Sequence, residues 1–289
     1  MKGQIVKAVA SRYTIMTAEK SKYICNIRGK LKRDEDVYVG DYVEVEGIKD
    51  NTGIIEKIYP RKNALIRPHV SNIDKLIIVV APVPRPDWML VDKLMVSCYI
   101  ENIQPVLCFH KADLIDDSEI TNLIKPYSEL IKCLRTSTLD KDIGLKELYE
   151  VMQKSLVCFA GQSAVGKSSI INEIFGKEIM EVCDVSPKVQ RGKNTTRHIE
   201  VFDWGDGRVV DTCGFSMLEL DELLPEELTY YYEEYVSLMP ECRYKNCSHI
   251  NEPGCAVKKA VEKGELSKDR YFRYISIYNE LKEKQDEKY

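Results

Sequence analysis

The chain has 289 residues, enough for two or three domains, with 44% hydrophobic and 30% charged residues and a formal net charge of −4. This composition excludes a disordered or fibrous chain and is that of a soluble globular protein. No run of about eighteen apolar residues occurs, and Met1-Lys2-Gly3-Gln4-Ile5 lacks the apolar core of a signal peptide, so no membrane span is expected and the expected location is cytoplasmic.

Residues 1–60 alternate in short β-like runs at 3–9, 13–17, 22–27, 42–46 and 53–58, punctuated by Gly29, Gly40, Gly47 and Asn51. Five short strands with turn signals predict a small closed barrel, an OB-fold ahead of an SH3-like barrel. Residues 1–33 carry nine Lys/Arg against one acid, Glu19, and 34–60 reverse this with eight acids and two lysines. Local charge of this kind suits a phosphate backbone despite the negative total, with Tyr13 and Tyr23 available for base stacking; a solvated barrel face is the plainer reading.

From residue 76 the period changes. Apolar runs at 76–80, 105–109, 130–135 and 156–160 read as strands of a parallel sheet, buried on both faces. Helical spacing at 88–102, 118–127 and 145–154 alternates with them, and 169–175 follows the last. Val209-Val210 forms a further strand ending at Asp211. This is an α/β unit with helices on both faces of a mostly parallel sheet. Beyond residue 218 the pattern is helical: Pro225 suits a first turn, and a charged helix runs from about 268 to the end.

Residues 161–168 read Gly-Gln-Ser-Ala-Val-Gly-Lys-Ser, a complete P-loop between a buried strand and a helix. The amides of Gly161, Gln162, Ser163, Ala164, Val165, Gly166, Lys167, Ser168 and Ser169 would wrap a phosphate at a helix N-terminus. Lys167 should reach the β- and γ-phosphates, and Ser168 should ligate Mg²⁺. Asp211-Thr212-Cys213-Gly214 has Asp-x-x-Gly spacing; Asp211 would hold Mg²⁺ through water and the Gly214 amide would meet the γ-phosphate. Between them, 186–197 lacks a period, as a switch loop would, and Thr196, or else Thr195, would contact Mg²⁺ and the γ-phosphate.

His110-Lys111-Ala112-Asp113 ends the second sheet strand, where ligand sites of α/β folds lie. The Asp113 carboxylate can accept both N–H donors of guanine, with the Lys111 stem over the base. The usual motif is Asn-Lys-x-Asp, so His110 stands in for Asn. Ser137-Thr138-Leu139, after the next strand, occupies the place of a second base loop. A base reader some fifty residues before the P-loop inverts the usual order, which implies a circularly permuted GTPase.

Ten cysteines in a cytosolic chain read as thiols or metal ligands, and Cys108 and Cys158 lie in apolar runs as core residues. Cys242, Cys247, His249 and Cys255 form a Cys₃His set within fourteen residues, the donor type of a structural zinc site.

Taken in order, these motifs resemble the ribosome small subunit-dependent GTPase A family, over nearly the whole chain. The resemblance implies an N-terminal OB-fold (1–65), a circularly permuted P-loop GTPase domain (66–217) and a C-terminal helical zinc-binding domain (218–289). It implies a monomeric factor that binds the small (30S) ribosomal subunit and its 16S rRNA late in maturation, hydrolyses GTP to GDP and phosphate when stimulated by the subunit, and is then released. GTP/GDP, Mg²⁺ and one structural Zn²⁺ are the expected cofactors. The chain departs from the family at His110 for Asn, Cys213 for Pro and Asn194 for His. Phe215 takes the place where many GTPases carry a water-orienting Gln, so turnover is expected to be slow until the partner completes the site; Arg191 or Arg197 could also act in cis. Lys258, Lys259 and Lys263 could add phosphate contacts. The competing readings are a nucleotide-gated rRNA-binding module with little hydrolysis, and an ATP-dependent enzyme using the same P-loop. Because the permutation runs Asp211–Gly214 directly into an acidic segment and the zinc domain, γ-phosphate loss is expected to move that domain and weaken subunit binding.

Overall fold

The structure, a computed structural model, describes residues 1–9, 11–29, 36–65, 69–176, 199–211, 220 and 222–287. Five strands form the N-terminal barrel: β1 (Lys2–Val9), β2 (Arg12–Met16), β3 (Lys22–Ile27), β4 (Tyr42–Lys49) and β5 (Thr52–Ile58). The pairing runs β1-β2-β3-β5-β4 and closes through β4 onto β1, with β3 and β5 parallel. That Greek-key closure is the OB-fold. Alternate side chains point inward, so Ile5, Ile15, Cys25, Val43, Val45 and Ile55 are fully buried or nearly so. Tyr13 and Tyr23 are half-buried and also pack against this core.

The chain leaves the barrel through a two-stranded pair, β6 (Ala64–Leu65) and β7 (Val70–Ser71). Fully buried Asp41 pins this segment, accepting from Arg61 Nε at 2.7 Å and from Ser71 Oγ at 2.6 Å. At the adjacent Gly40, φ is +99° and a Cβ would stand 2.2 Å from the Ser71 carbonyl oxygen, so only glycine fits.

The α/β unit comprises β8 (Lys75–Val80), α1 (Trp88–Ile100), β9 (Gln104–His110), α2 (Asp117–Ser128), β10 (Lys132–Thr136), α3 (Leu145–Met152), β11 (Leu156–Ala160), α4 (Lys167–Phe175), β12 (Ile199–Trp204) and β13 (Gly207–Asp211). Strand order is β10-β9-β8-β11-β13, all parallel, with β12 antiparallel at the end. Side chains of β8 alternate between two cores. Leu76, Ile78 and Val80 pack with Val91, Leu94 and Met95 of α1 and with Ile120 and Ile124 of α2. Ile77 and Val79 pack with Leu148 of α3 and with Ile170 and Ile174 of α4. Cys108 and Cys158 are fully buried, as their apolar runs require. The strand β12 was not foreseen. It also pairs antiparallel with β1 (Lys7↔Glu200, Ala8↔Ile199), so barrel and α/β sheet form one eleven-stranded sheet.

The C-terminal part contains 3-10 turns at Pro225–Tyr231 and Met239–Glu241, then α5 (Glu233–Val236), α6 (Ala256–Glu262) and α7 (Lys268–Glu287). Pro225 starts its turn as expected, and the Leu224 amide donates to Glu227 Oε2. Tyr232, Tyr235, Tyr274 and Ile277 form a core shared with Val96 of α1. Charge completes the joint. Fully buried Asp92 of α1 accepts from Arg270 and Arg273 of α7 and from Tyr127 of α2, while Arg270 also donates to Glu234 at 2.6 Å.

Candidate nucleotide site and metal cluster

All five residues of β11 are buried, and the chain then turns sharply through the P-loop into α4. Gly161 has φ +135°, and a Cβ there would lie 2.2 Å from the Val79 carbonyl oxygen. Gly166 has φ +101° and caps α4. Both positions need glycine, leaving the loop backbone open to an anion at a helix N-terminus. Lys167 Nζ donates to the Gly161 and Gln162 carbonyls at 2.7 Å each, folding back over the loop. Burial lowers its pKa to about 8. This cradle of amides and one ammonium fits a polyphosphate. Val165 is fully buried in the core, Ser163 is exposed, and Ser168 and Ser169 are half-buried in the first turn of α4.

The loop after β9 reaches the P-loop from the neighbouring strands. Lys111 has φ +56° and donates through Nζ to the carbonyls of Ala164 at 2.9 Å and Val83 at 2.8 Å. His110 is buried, with Nδ1 3.0 Å from Thr136 Oγ1. Its other ring edge faces Gly166: a Cβ on that glycine would meet Cδ2 at 2.4 Å and Nε2 at 2.8 Å. Burial lowers the His110 pKa to about 4, so the ring is neutral at physiological pH. Asp113 is exposed, its carboxylate available to a ligand. Fully buried Ser137 shapes the second loop, its Oγ accepting from the amides of Leu139 and Asp140 at 3.0 Å each; Thr138 is half-buried beside it. Gln162 joins a further element, with Oε1 accepting from the amide of Asp87, the N-cap of α1, at 2.8 Å. Thr196 and Gly214, with the side chain of Asp211, lie outside the described residues, as do Asn194, Thr195, Arg191, Arg197, Cys213 and Phe215.

The ligand atoms of Cys242, Cys247, His249 and Cys255 all lie within 4.8 Å of one another, and three of these residues are buried. His249 turns Nδ1 toward the thiols, 3.3 Å from Cys255 Sγ, while Nε2 is 3.0 Å from Thr229 Oγ1. Amides of Ala256 and Lys258 donate to Cys242 Sγ and Cys255 Sγ at 3.4 Å each. Three thiols and one imidazole converging with N–H···S donors fit a closed tetrahedral metal site, with the second ring nitrogen of His249 held from behind.

Comparison with known proteins decides the family. Residues 58–221 match the RsgA GTPase family and residues 2–55 match the RsgA N-terminal domain. This chain belongs to the RsgA GTPase family. A relative from Caldanaerobacter subterraneus subsp. tengcongensis, named small ribosomal subunit biogenesis GTPase RsgA, is 39% identical over 100% of this chain and 98% of its own. A Geobacillus relative of the same name is 37% identical over 98% of each chain. Among solved structures, YjeQ from Thermotoga maritima superposes with a TM-score of 0.81 at 34% identity, covering 97% of this chain and 98% of its own. YloQ, described as a circularly permuted GTPase, gives 0.79 at 32% identity, covering 98% and 95%. The inverted motif order of this RsgA GTPase is therefore that of a circularly permuted GTPase, and the barrel is the family's N-terminal domain.

Sequence reasoning about this RsgA GTPase missed Asp87, Val83 and Thr136. They touch the site through a backbone amide, a carbonyl and a buried hydroxyl, none of which leaves a motif.

Proposed function

We propose that this RsgA GTPase binds the small (30S) ribosomal subunit through 16S rRNA, assists its late maturation as a monomer in the cytoplasm, and leaves after subunit-stimulated hydrolysis of GTP to GDP and phosphate. The observation that carries the reading is the docking of the base-reading loop onto the P-loop, through Lys111 on the Ala164 carbonyl and His110 against Gly166, although the two motifs run in inverted order. Asp113 would read the guanine edge, and the amides of 161–169 with Lys167 would hold the phosphates. Ser168, Thr196 and Asp211 would hold Mg²⁺, which supplies positive charge to the phosphates when bound; Gly214 would donate its amide there. The Cys₃His cluster would take Zn²⁺ as a structural ion, and a division near residues 65 and 217 belongs to the same proposal.

The test is GTP turnover with and without isolated small subunits, with Lys167→Ala as control. Turnover that rises with subunits in the wild type and not in the variant is expected. Equal turnover in both conditions refutes subunit stimulation and leaves the nucleotide-gated rRNA-binding module as the better reading.

A further inference from the structure

We propose that Gln162 completes the N-terminal cap of α1 from the P-loop, and is thereby a positioning residue through which phosphate binding and the first turn of α1 stabilise each other. The proposal rests on the P-loop reading above. A helix begins with amides that have no partner inside it. Two side chains commonly share the work: the N-cap residue accepts from the amide three positions on, and a Glu or Gln at that third position reaches back to the N-cap amide. In α1 the first half is present, since Asp87 Oδ1 accepts from the Leu90 amide at 3.0 Å. The second half is missing from the helix itself, because Leu90 has no acceptor and the first turn holds no acidic residue. Gln162 supplies it from 75 positions away, with Oε1 accepting from the Asp87 amide at 2.8 Å.

Gln162 has a second attachment. Its carbonyl accepts from Lys167 Nζ at 2.7 Å, and its backbone belongs to the loop whose amides would wrap the phosphates. One residue therefore holds the phosphate-binding ammonium with its main chain and the start of α1 with its side chain. The segment it grips is stiff. Prolines at 82, 84 and 86 fix φ at alternate positions of residues 81–87, and Lys111 Nζ holds the same segment at the Val83 carbonyl at 2.8 Å.

Phosphate that orders residues 161–169 would fix the Gln162 backbone and leave its side chain less freedom to release Asp87. The linkage runs backward as well: a cap that holds Gln162 in place favours the loop shape that receives phosphate, by the same factor. That factor is bounded by the bond that carries it, roughly 2- to 10-fold for one hydrogen bond.

Hydrogen exchange on the full-length protein reads the cap directly, since residues 84–87 carry amides only at Arg85 and Asp87. In the nucleotide-free protein, Gln162→Ala should speed exchange of the Asp87 amide roughly 2- to 10-fold. GDP should slow that amide in the wild type and leave it unchanged in Gln162→Ala, and the variant should bind GDP more weakly by a factor in the same range. Leu90→Gln added to Gln162→Ala places an acceptor at the third position of the helix. It should restore slow exchange of Asp87 without restoring the GDP response or the lost affinity. An Asp87 amide that ignores GDP in the wild type, or responds equally in Gln162→Ala, overturns the proposal. So does a Gln162→Ala protein that binds GDP like the wild type, or a double variant that recovers the affinity, since the cap would then be structural alone. A wild type that binds no GDP overturns the nucleotide reading and the coupling together, and faster exchange in the nucleotide-free variant would then show a cap and nothing more.

Discussion

The joint between the α/β unit and the C-terminal helices should fail when Asp92 loses its charge. Asp92 is fully buried and accepts from two guanidinium groups, Arg270 and Arg273, and from the Tyr127 hydroxyl at 3.0 Å. Asp92→Asn keeps the shape and leaves both arginines without their shared counter-charge. Breaking a buried pair from one side costs about 3–5 kcal/mol. Arg270 keeps Glu234, and Arg273 has a side chain 16% exposed, so the lower end, about 3 kcal/mol, applies. For a domain of this size that is roughly 6–12 °C in melting temperature. Trp88 is the reporter, since its ring stacks on Tyr127 at 5.2 Å. Thermal unfolding followed by Trp88 fluorescence in a Trp204→Phe background isolates it from the second tryptophan. Arg273→Met should cost less, about 1 kcal/mol, because Asp92 retains Arg270. The loss in Asp92→Asn should persist in high salt, as a water-excluded pair is little screened. A shift under 2 °C, or Arg273→Met matching Asp92→Asn, would refute the reasoning.

Three further outcomes are expected. Lys167 has its pKa lowered by burial to about 8, and phosphate should raise it again, so nucleotide binding takes up a proton above that pH. GDP affinity should be flat below pH 8 and fall above it, by at most tenfold per pH unit, while nucleotide-free stability rises from pH 8 toward the unfolded lysine value; calorimetry in two buffers of different ionisation enthalpy would read the proton uptake, and its absence would discard the assignment. Gly161→Ala forces a Cβ to 2.2 Å from the Val79 carbonyl oxygen at φ +135°, and should reduce GDP affinity roughly 10- to 100-fold, whereas Gly176→Ala, with open space around it at φ +62°, should leave affinity alone. Stripping metal with a strong chelator, or Cys242→Ser, should lower metal content from one equivalent toward none and unfold the 220–287 helices, since such sites supply on the order of 10 kcal/mol; unchanged far-ultraviolet circular dichroism would count against a structural metal.

Much of this architecture was legible because its signals are local. The period-two runs of the barrel, the buried runs at 76–80 and 156–160, and the P-loop glycines state their conformations in a few adjacent residues. The strand β12 was missed because Ile-Glu-Val-Phe-Asp-Trp follows a polar stretch of sequence with no period, and its pairing depends partly on β1, almost two hundred residues earlier. The Asp92–Arg270 pair spans 178 positions and leaves no trace in either segment. His110 was visible as a departure, but its partners were not. Thr136 looks like any strand residue until parallel pairing sets it beside the ring.

The shared sheet has a consequence for the edge of the α/β unit. Without β1, the start of β12 at Ile199 and Glu200 would present unpaired amides and carbonyls, lengthening the edge that the rest of the strand already forms. Open edges of this kind template pairing with other chains. The barrel therefore also serves as an edge cover: the unit cut away from residues 1–58 would carry a sticky margin, and its aggregation would report loss of shelter rather than loss of fold.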